Sequence, residues 1–159
     1  GRLDESITLF EQNLKDRTRV LGPHHPDTLL SRNNLAGAYR EAGRLDESIT
    51  LYEQTLEDRT RILGRNHRST HISRIVLAYT FREAGMFGEA IALYKEIFED
   101  YEATLGRNHF KTRTLREKLA SLYRTFGLFE EATKLLEKQS ASGNAKHDGT
   151  DDPDQETDS

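Results

Sequence analysis

The sequence contains no cysteine and no tryptophan, and only three prolines. Without cysteine, disulfide bonds and thiolate-ligated metal sites are excluded. No apolar run approaches the roughly 18 residues that a transmembrane helix requires. The first residues lack the basic-then-apolar pattern of a secretory signal. We therefore expect a cytoplasmic protein that has no membrane partner.

The charge is distributed unevenly along the chain. The formal net charge is −4, with 31% charged and only 35% apolar residues. Residues 140–159 contain one lysine and six acidic residues, a net charge of −5, which leaves +1 for residues 1–139. The main part of the chain is thus no basic nucleic-acid binder. The segment 140–159 has no large apolar residue, so we predict that it is a disordered acidic tail.

The remaining sequence consists of repeating units. Residues 1–22 and 43–64 differ at only four positions. Four sets of residues recur at one constant spacing: Gly1, Gly43, Gly85 and Gly127; Leu21-Gly22, Leu63-Gly64 and Leu105-Gly106; His25, His67 and His109; Thr28, Thr70 and Thr112. Self-similarity at a fixed period is the signature of a repeat architecture. The near-identity indicates a recent internal duplication.

Each unit has the pattern of two helices. Leu45, Ile49, Tyr52 and Leu56 form one apolar stripe at helical spacing, and the other units repeat it. The recurring glycines fall where each helix must end. Small residues stand one turn before an aromatic residue, or before Leu136 in the last unit, where two helices can approach closely: Ser6, Ser48, Ala90 and Ala132. We predict a repeat array over residues 1–139, with an unpaired second helix at 1–22 and helix pairs at about 26–64, 68–106 and 110–139.

This pattern resembles the tetratricopeptide repeat. The 42-residue period, the segment Leu-Gly-Pro-His-His-Pro-Asp-Thr at 21–28 and the run Asn33-Asn34-Leu35-Ala36 are similar to kinesin-light-chain-type repeats, which also occur in bacterial NB-ARC regulatory ATPases. The resemblance implies an all-α, right-handed solenoid of antiparallel helix pairs, whose first helices line a concave groove. Such grooves bind peptides or partner helices.

The resemblance also assigns candidate groove positions. Carried onto this sequence, they include Asn33, Asn34, Arg40, Ile75, Val76, Tyr79, Arg82, Lys118 and Arg124. The two asparagines offer amides suited to a peptide backbone. The isoleucine, valine and tyrosine form an apolar patch, and the arginines form a recurring basic ladder that could bind acidic groups. The asparagine pair occurs in the first unit only.

We find no catalytic constellation in the sequence. A phosphate-binding Gly-x4-Gly-Lys-Ser/Thr loop and a Gly-x-Ser-x-Gly elbow are both missing. His67 and His71 have a helical i, i+4 spacing that can bind zinc, but no third ligand is evident. We therefore predict no enzymatic activity, no metal and no cofactor.

Two further sets of recurring residues have a structural interpretation. His25 precedes Pro26, so we predict that it and its equivalents His67 and His109 are helix N-caps. Asp16, Asp58 and Asp100 each precede an arginine of the next helix, at Arg32, Arg74 and Arg116. We predict an ion pair across each of these inter-repeat turns.

Three functions are compatible with the pattern. The first is a protein-interaction module that binds a peptide or a partner helix. The second is a regulatory piece of a larger NB-ARC-type signalling ATPase. The third is a spacer or oligomerisation element, assembled through uncapped ends such as Leu3, Ile7 and Phe10. In addition, the acidic tail could fold back onto the arginine ladder, in which case its deletion should tighten binding of an acidic peptide.

Overall fold

The computed structural model describes residues 1–137, which form seven helices and no strand. The helices are α1 (Arg2–Leu21), α2 (Pro26–Glu41), α3 (Leu45–Leu63), α4 (Arg68–Glu83), α5 (Phe87–Leu105), α6 (Phe110–Thr125) and α7 (Phe129–Glu137). The predicted tail at 140–159 and the end of the third predicted repeat lie outside the described residues. Among residues 1–137, no helix has an apolar stretch of the length that a bilayer crossing requires.

The helices pack in chain order, each against the one before and the one after it. Helices α2 and α3, α4 and α5, and α6 and α7 form antiparallel pairs, and α1 packs against α2. The core follows this line, with Leu35 and Tyr39 beside α1, and Leu77, Ile97 and Leu119 further along. The predicted all-α solenoid is confirmed.

Each first helix begins at a histidine. The imidazole Nδ1 of His25, His67 and His109 accepts a hydrogen bond from the backbone N–H two positions later, at 3.2, 3.1 and 3.2 Å. All three histidines have extended backbone conformation, as N-cap residues do. The capping prediction is confirmed.

Glycines end the helices. Gly43, Gly85 and Gly127 follow the first helices with φ values of 74°, 75° and 72°. At this conformation a side chain would be strained, so glycine is the residue that lets the chain reverse into the second helix. The N–H of Arg44 then closes the turn on the carbonyl of Tyr39 at 2.9 Å.

Small residues allow the paired helices to approach closely. Ser48, Ala90 and Ala132 are almost completely buried. The Ser48 hydroxyl donates to the carbonyl of Ala36 in α2 at 2.7 Å, which a bulkier side chain would prevent. Ser6 of α1 instead donates to the carbonyl of Arg2 in its own helix.

The predicted ion pairs exist in a different register. Arg32 pairs with Asp58 at 2.7 Å and Arg74 pairs with Asp100, so each arginine uses the aspartate that follows it in the chain and not the one that precedes it. The described partners of Asp16 are Gln12 and Arg19 of its own helix. The prediction was wrong because this face of a second helix turns towards the first helix of the same unit, and not towards the unit that follows.

These pairs connect the two helices of one unit. Burial opposes ionisation of Asp58, but hydrogen bonds from Arg32 and Arg61 outweigh it and lower its pKa. The pKa of Asp100 is lowered in the same way, because burial is outweighed by the hydrogen bonds from Arg74 and Arg65. Both carboxylates are therefore ionised at neutral pH.

Candidate functional site

A cavity of about 240 Å³ opens between the first helices α4 and α6, above α5. Its lining is mainly apolar and aromatic, with two lysines. The lining residues are Ile75, Tyr79, Tyr94, Tyr101, Phe110, Lys111, Thr114, Leu115 and Lys118. An apolar pocket with a few polar groups is the usual form of a ligand site.

Tyrosine rings form the centre of this cavity. The rings of Tyr79 and Tyr94 meet edge to face, with centroids 6.0 Å apart. Tyr94 is only 2% exposed, and its hydroxyl has no hydrogen-bond partner among the described residues. Burial raises the pKa of the Tyr94 phenol to about 12, so the hydroxyl stays protonated and can donate to a ligand.

Positively charged side chains surround the aromatic centre. The ammonium of Lys118 donates to the Tyr79 hydroxyl and lies 4.8 Å from the ring centroid. The guanidinium carbon of Arg82 lies 5.0 Å from the same centroid. Lys111, in the first turn of α6, also lines the cavity and has an exposed side chain. The site therefore combines an apolar interior with a positive rim.

One unit earlier, the contact between α3 and α4 has polar side chains at the positions that are apolar in this cavity. Between α3 and α4, Arg59 donates to the Ser73 hydroxyl at 2.7 Å. One unit later, the equivalent positions hold Tyr101 and Leu115, both of which line the cavity. Replacement of this polar pair by apolar residues gives the α4–α6 junction its apolar character.

The two histidines proposed as a zinc pair have different surroundings. His67 uses its Nδ1 to cap α4, whereas the His71 ring packs on Tyr101 with centroids 5.5 Å apart. Burial and the nearby charge of Arg74 lower the pKa of His71. Within residues 1–137, no group of three or more histidine, aspartate or glutamate side chains is placed to hold a metal ion.

Three of the predicted groove residues come together at the cavity: Ile75, Tyr79 and Lys118. Arg82 lies beside them through its contact with the Tyr79 ring. Val76 packs against the core instead and does not line the cavity.

The remaining predicted groove residues lie apart from the cavity. Asn34 lines a second cavity, of about 290 Å³, between α1 and α2. The side-chain oxygen of Asn33 is buried and without a hydrogen-bond partner in the described part of the chain. Arg40 lies 3.6 Å from Glu83, whereas Arg124 is exposed and forms no ion pair with any described residue. The three ladder arginines thus have different surroundings.

The sequence analysis did not identify the cavity residues that come from a second helix or from the beginning of a first helix. Tyr94 and Tyr101 belong to α5, and Phe110 and Lys111 begin α6. The signal was present in the alignment of the units, because Tyr101 and Phe110 each replace an arginine of the preceding unit.

Comparisons with known proteins agree with this architecture. The sequence matches the tetratricopeptide repeat family over residues 1–61, 30–103 and 77–139. Two crystal structures of a putative kinesin light chain from Podosopora anserina, with nearly identical TPR-like repeats, are similar to the chain. The first has a TM-score of 0.75 at 28% identity and covers 93% of this chain and 71% of its own. The second, a variant with one substitution, has a TM-score of 0.73 at 30% identity and covers 89% and 66%.

A more distant structure shares the fold. BtubC (BKLC) from P. vanneervenii has a TM-score of 0.70 at 15% identity, and the alignment covers 100% of this chain and 65% of that one. No curated protein sequence matches significantly. Tetratricopeptide repeats are in general protein–protein interaction modules. The chain belongs to the tetratricopeptide repeat family, with repeats of the kinesin-light-chain type.

Proposed function

We propose that the protein is a non-enzymatic interaction module that binds a peptide at the α4–α6 cavity. The observation that carries this proposal is the cavity itself, with its aromatic interior and the unpartnered Tyr94 hydroxyl. Its volume suits one apolar side chain. A peptide backbone crossing the groove would place a carbonyl near the hydroxyl, which would then gain a hydrogen bond.

The positive rim indicates the charge of the peptide. Lys118, Lys111 and Arg82 surround the apolar interior, and the carboxylates Glu83 and Glu117 lie on the same two helices. Glu83 is already engaged with Arg40 of α2. The ligand that fits is an extended peptide with an apolar or aromatic residue next to one or more carboxylates.

A direct binding measurement tests this function. Fluorescein-labelled peptides carrying Leu, Phe or Trp between two acidic residues would be titrated with the protein and followed by anisotropy, with lysine-flanked peptides of the same apolar residue alongside. The Lys118→Glu variant should weaken the acidic peptide at least about tenfold, which is roughly 1.4 kcal/mol. The Lys95→Glu variant is the control, because Lys95 lies on the surface of α5 outside the cavity lining and its described ion-pair partner is Glu99.

Two outcomes would contradict the proposed function. Equal affinity for acid-flanked and lysine-flanked peptides would show that the rim does not select charge. An equal loss in both variants would show that the effect of Lys118 is one of general charge and not of the cavity.

A second candidate function is self-association through α1. Leu9 and Val20 are 72% and 69% exposed on this helix, which packs against α2. Light scattering over a range of concentrations tests it, and Leu9→Glu should abolish any dimer. Incorporation into a larger NB-ARC-type ATPase remains a prediction, which an adjoining nucleotide-binding domain would support.

A further inference from the structure

A buried arginine in the third unit, unlike its two equivalents, has no carboxylate partner among residues 1–137. Arg32 pairs with Asp58 and Arg74 pairs with Asp100. Arg116 is only 3% exposed, yet no described carboxylate lies within ion-pair distance of it. A buried cation without a counter-ion is costly, so the missing partner requires an explanation.

The contacts that remain at Arg116 match those of its equivalents. Its guanidinium donates to the carbonyl of Arg107 at 2.8 Å, as Arg74 donates to the carbonyl of Arg65. It also lies 5.8 Å from the centroid of the Phe98 ring. The guanidinium thus makes the same backbone contact as in the second unit, but no carboxylate of the described residues accompanies it.

A cavity of about 220 Å³ lies beside Arg116, which forms part of its lining. It lies between α5, α6 and α7, and Phe98, Tyr123 and Leu135 form its apolar walls. Its volume and position leave room for a carboxylate beside Arg116. Such a group would meet an apolar environment, in which an ion pair to a fixed guanidinium is strong.

Two of the three described cations that line this cavity are paired with carboxylates. Glu102 pairs with Arg107 at 2.9 Å, and Lys134 lies 3.6 Å from Glu130. Glu131 also lines the cavity, on the exposed side of α7. With Arg107 and Lys134 paired, Arg116 is the cation of the described lining that has no described carboxylate within ion-pair distance.

At the position where the first two units have this aspartate, the repeat gives an uncharged residue in the third unit, and acidic residues follow it in the sequence. The spacing that relates Asp58 to Asp100 leads next to Ser142, which has no charge. Shortly after it, the chain contains Asp148, Asp151, Asp152, Asp154, Glu156 and Asp158. This is the most acidic stretch of the sequence.

We propose that the Arg116 cavity is a carboxylate-binding site and that the acidic segment 148–158 of the same chain occupies it. Asp148 follows Glu137, which is part of the same helix as cavity residue Leu135, by eleven positions. At about 3.3 Å per residue, this length reaches roughly 36 Å, more than enough to return to α6. One acidic side chain then replaces the carboxylate that Asp58 and Asp100 supply in the earlier units.

Paramagnetic relaxation tests the proposal on the full chain. Because the sequence has no cysteine, Thr150→Cys provides a single site for a nitroxide label. The amide signals of Tyr123 and Leu135, which line the cavity, should lose intensity, and reduction of the nitroxide should restore them. Changing Asp148, Asp151, Asp152 and Asp154 together to asparagine should abolish this loss without touching the folded repeats.

A pair of arginine variants separates the cavity from the groove. Arg116→Gln should abolish the intensity loss, whereas Arg124→Gln, an exposed arginine on the same helix, should leave it unchanged. Loss of signal around Arg82 and Lys118 instead would place the acidic segment on the groove and overturn the proposal. Broadening that appears only when labelled and unlabelled molecules are mixed would assign the contact to a second copy of the chain. The absence of any broadening would exclude docking. Either result would overturn the proposal.

Discussion

Removal of the Asp100 carboxylate should destabilise the protein strongly. Asp100 pairs with Arg74, whose side chain is only 4% exposed, so Asp100→Asn would leave a buried guanidinium without its counter-ion. Breaking a fully buried pair costs about 3–5 kcal/mol. Because the Asp100 side chain is 18% exposed and water can partly replace it, we expect about 2–3 kcal/mol.

The sequence contains a matched control for this variant. Asp16 is the equivalent residue in α1, but its side chain is half exposed and contacts only its own helix. Asp16→Asn should leave the midpoint of urea unfolding unchanged. The assay is urea denaturation at pH 7 followed by circular dichroism, with Asp58→Asn as a second paired position.

The comparison of these variants decides the register of the ion pairs. If Asp16→Asn destabilises the protein as much as Asp100→Asn, the aspartate that precedes each arginine is its partner and the observed pairing is refuted. A neutral Asp100→Asn would show that the pair contributes nothing to stability. A double-mutant cycle with Arg74→Leu should give a coupling energy well above measurement error, because the two side chains are in contact.

Three further predictions concern pH, backbone and the cavity. The pKa of His71 is lowered in the folded state, chiefly by burial. Its contribution to the free energy of unfolding is therefore present above the unfolded pKa near 6.5 and is lost as the pH falls below that value. Between about pH 6.5 and 5, the urea midpoint should fall less in His71→Gln than in the wild type. Gly85→Ala should destabilise the protein by about 1 kcal/mol because φ is 75°, whereas Gly88→Ala in α5 should stabilise it by up to about 1 kcal/mol. In thermal unfolding, a stabilising Gly85→Ala or a destabilising Gly88→Ala would contradict the respective assignment. Tyr94→Phe should leave stability unchanged or slightly higher, since the hydroxyl it removes has no partner, but should weaken peptide binding in the anisotropy assay, whereas Tyr52→Phe, outside the cavity, should not.

The sequence predicted the fold well because the repeat supplies the same information several times. The histidine caps and the glycine turns each depend on neighbours in sequence, so the pattern alone identified them. The ion pairs depend on which side of a second helix faces which first helix. That orientation comes from packing, and Asp58 and Asp16 have nearly the same local sequence around them.

The candidate site was predicted only in part, for a related reason. A resemblance to the family identified first-helix positions such as Ile75, Tyr79 and Lys118, because it concerns the shared groove. It did not indicate Tyr94 and Tyr101, which reach the groove from the second helix α5. Nor did it predict that Asn33 and Asn34 would have different surroundings, which arise because neighbouring residues on a helix point about 100° apart.

The measurement that tests the central claim most directly is a chemical-shift titration. The ¹⁵N-labelled protein would be titrated with the tightest acid-flanked peptide from the anisotropy series. We predict that the largest shifts fall on Ile75, Tyr79 and Lys118 and on Tyr94 and Tyr101 beneath them, at the α4–α6 cavity. Shifts centred on α1 or on the α5–α7 end of the array, or no shifts with any peptide of the series, would contradict the account.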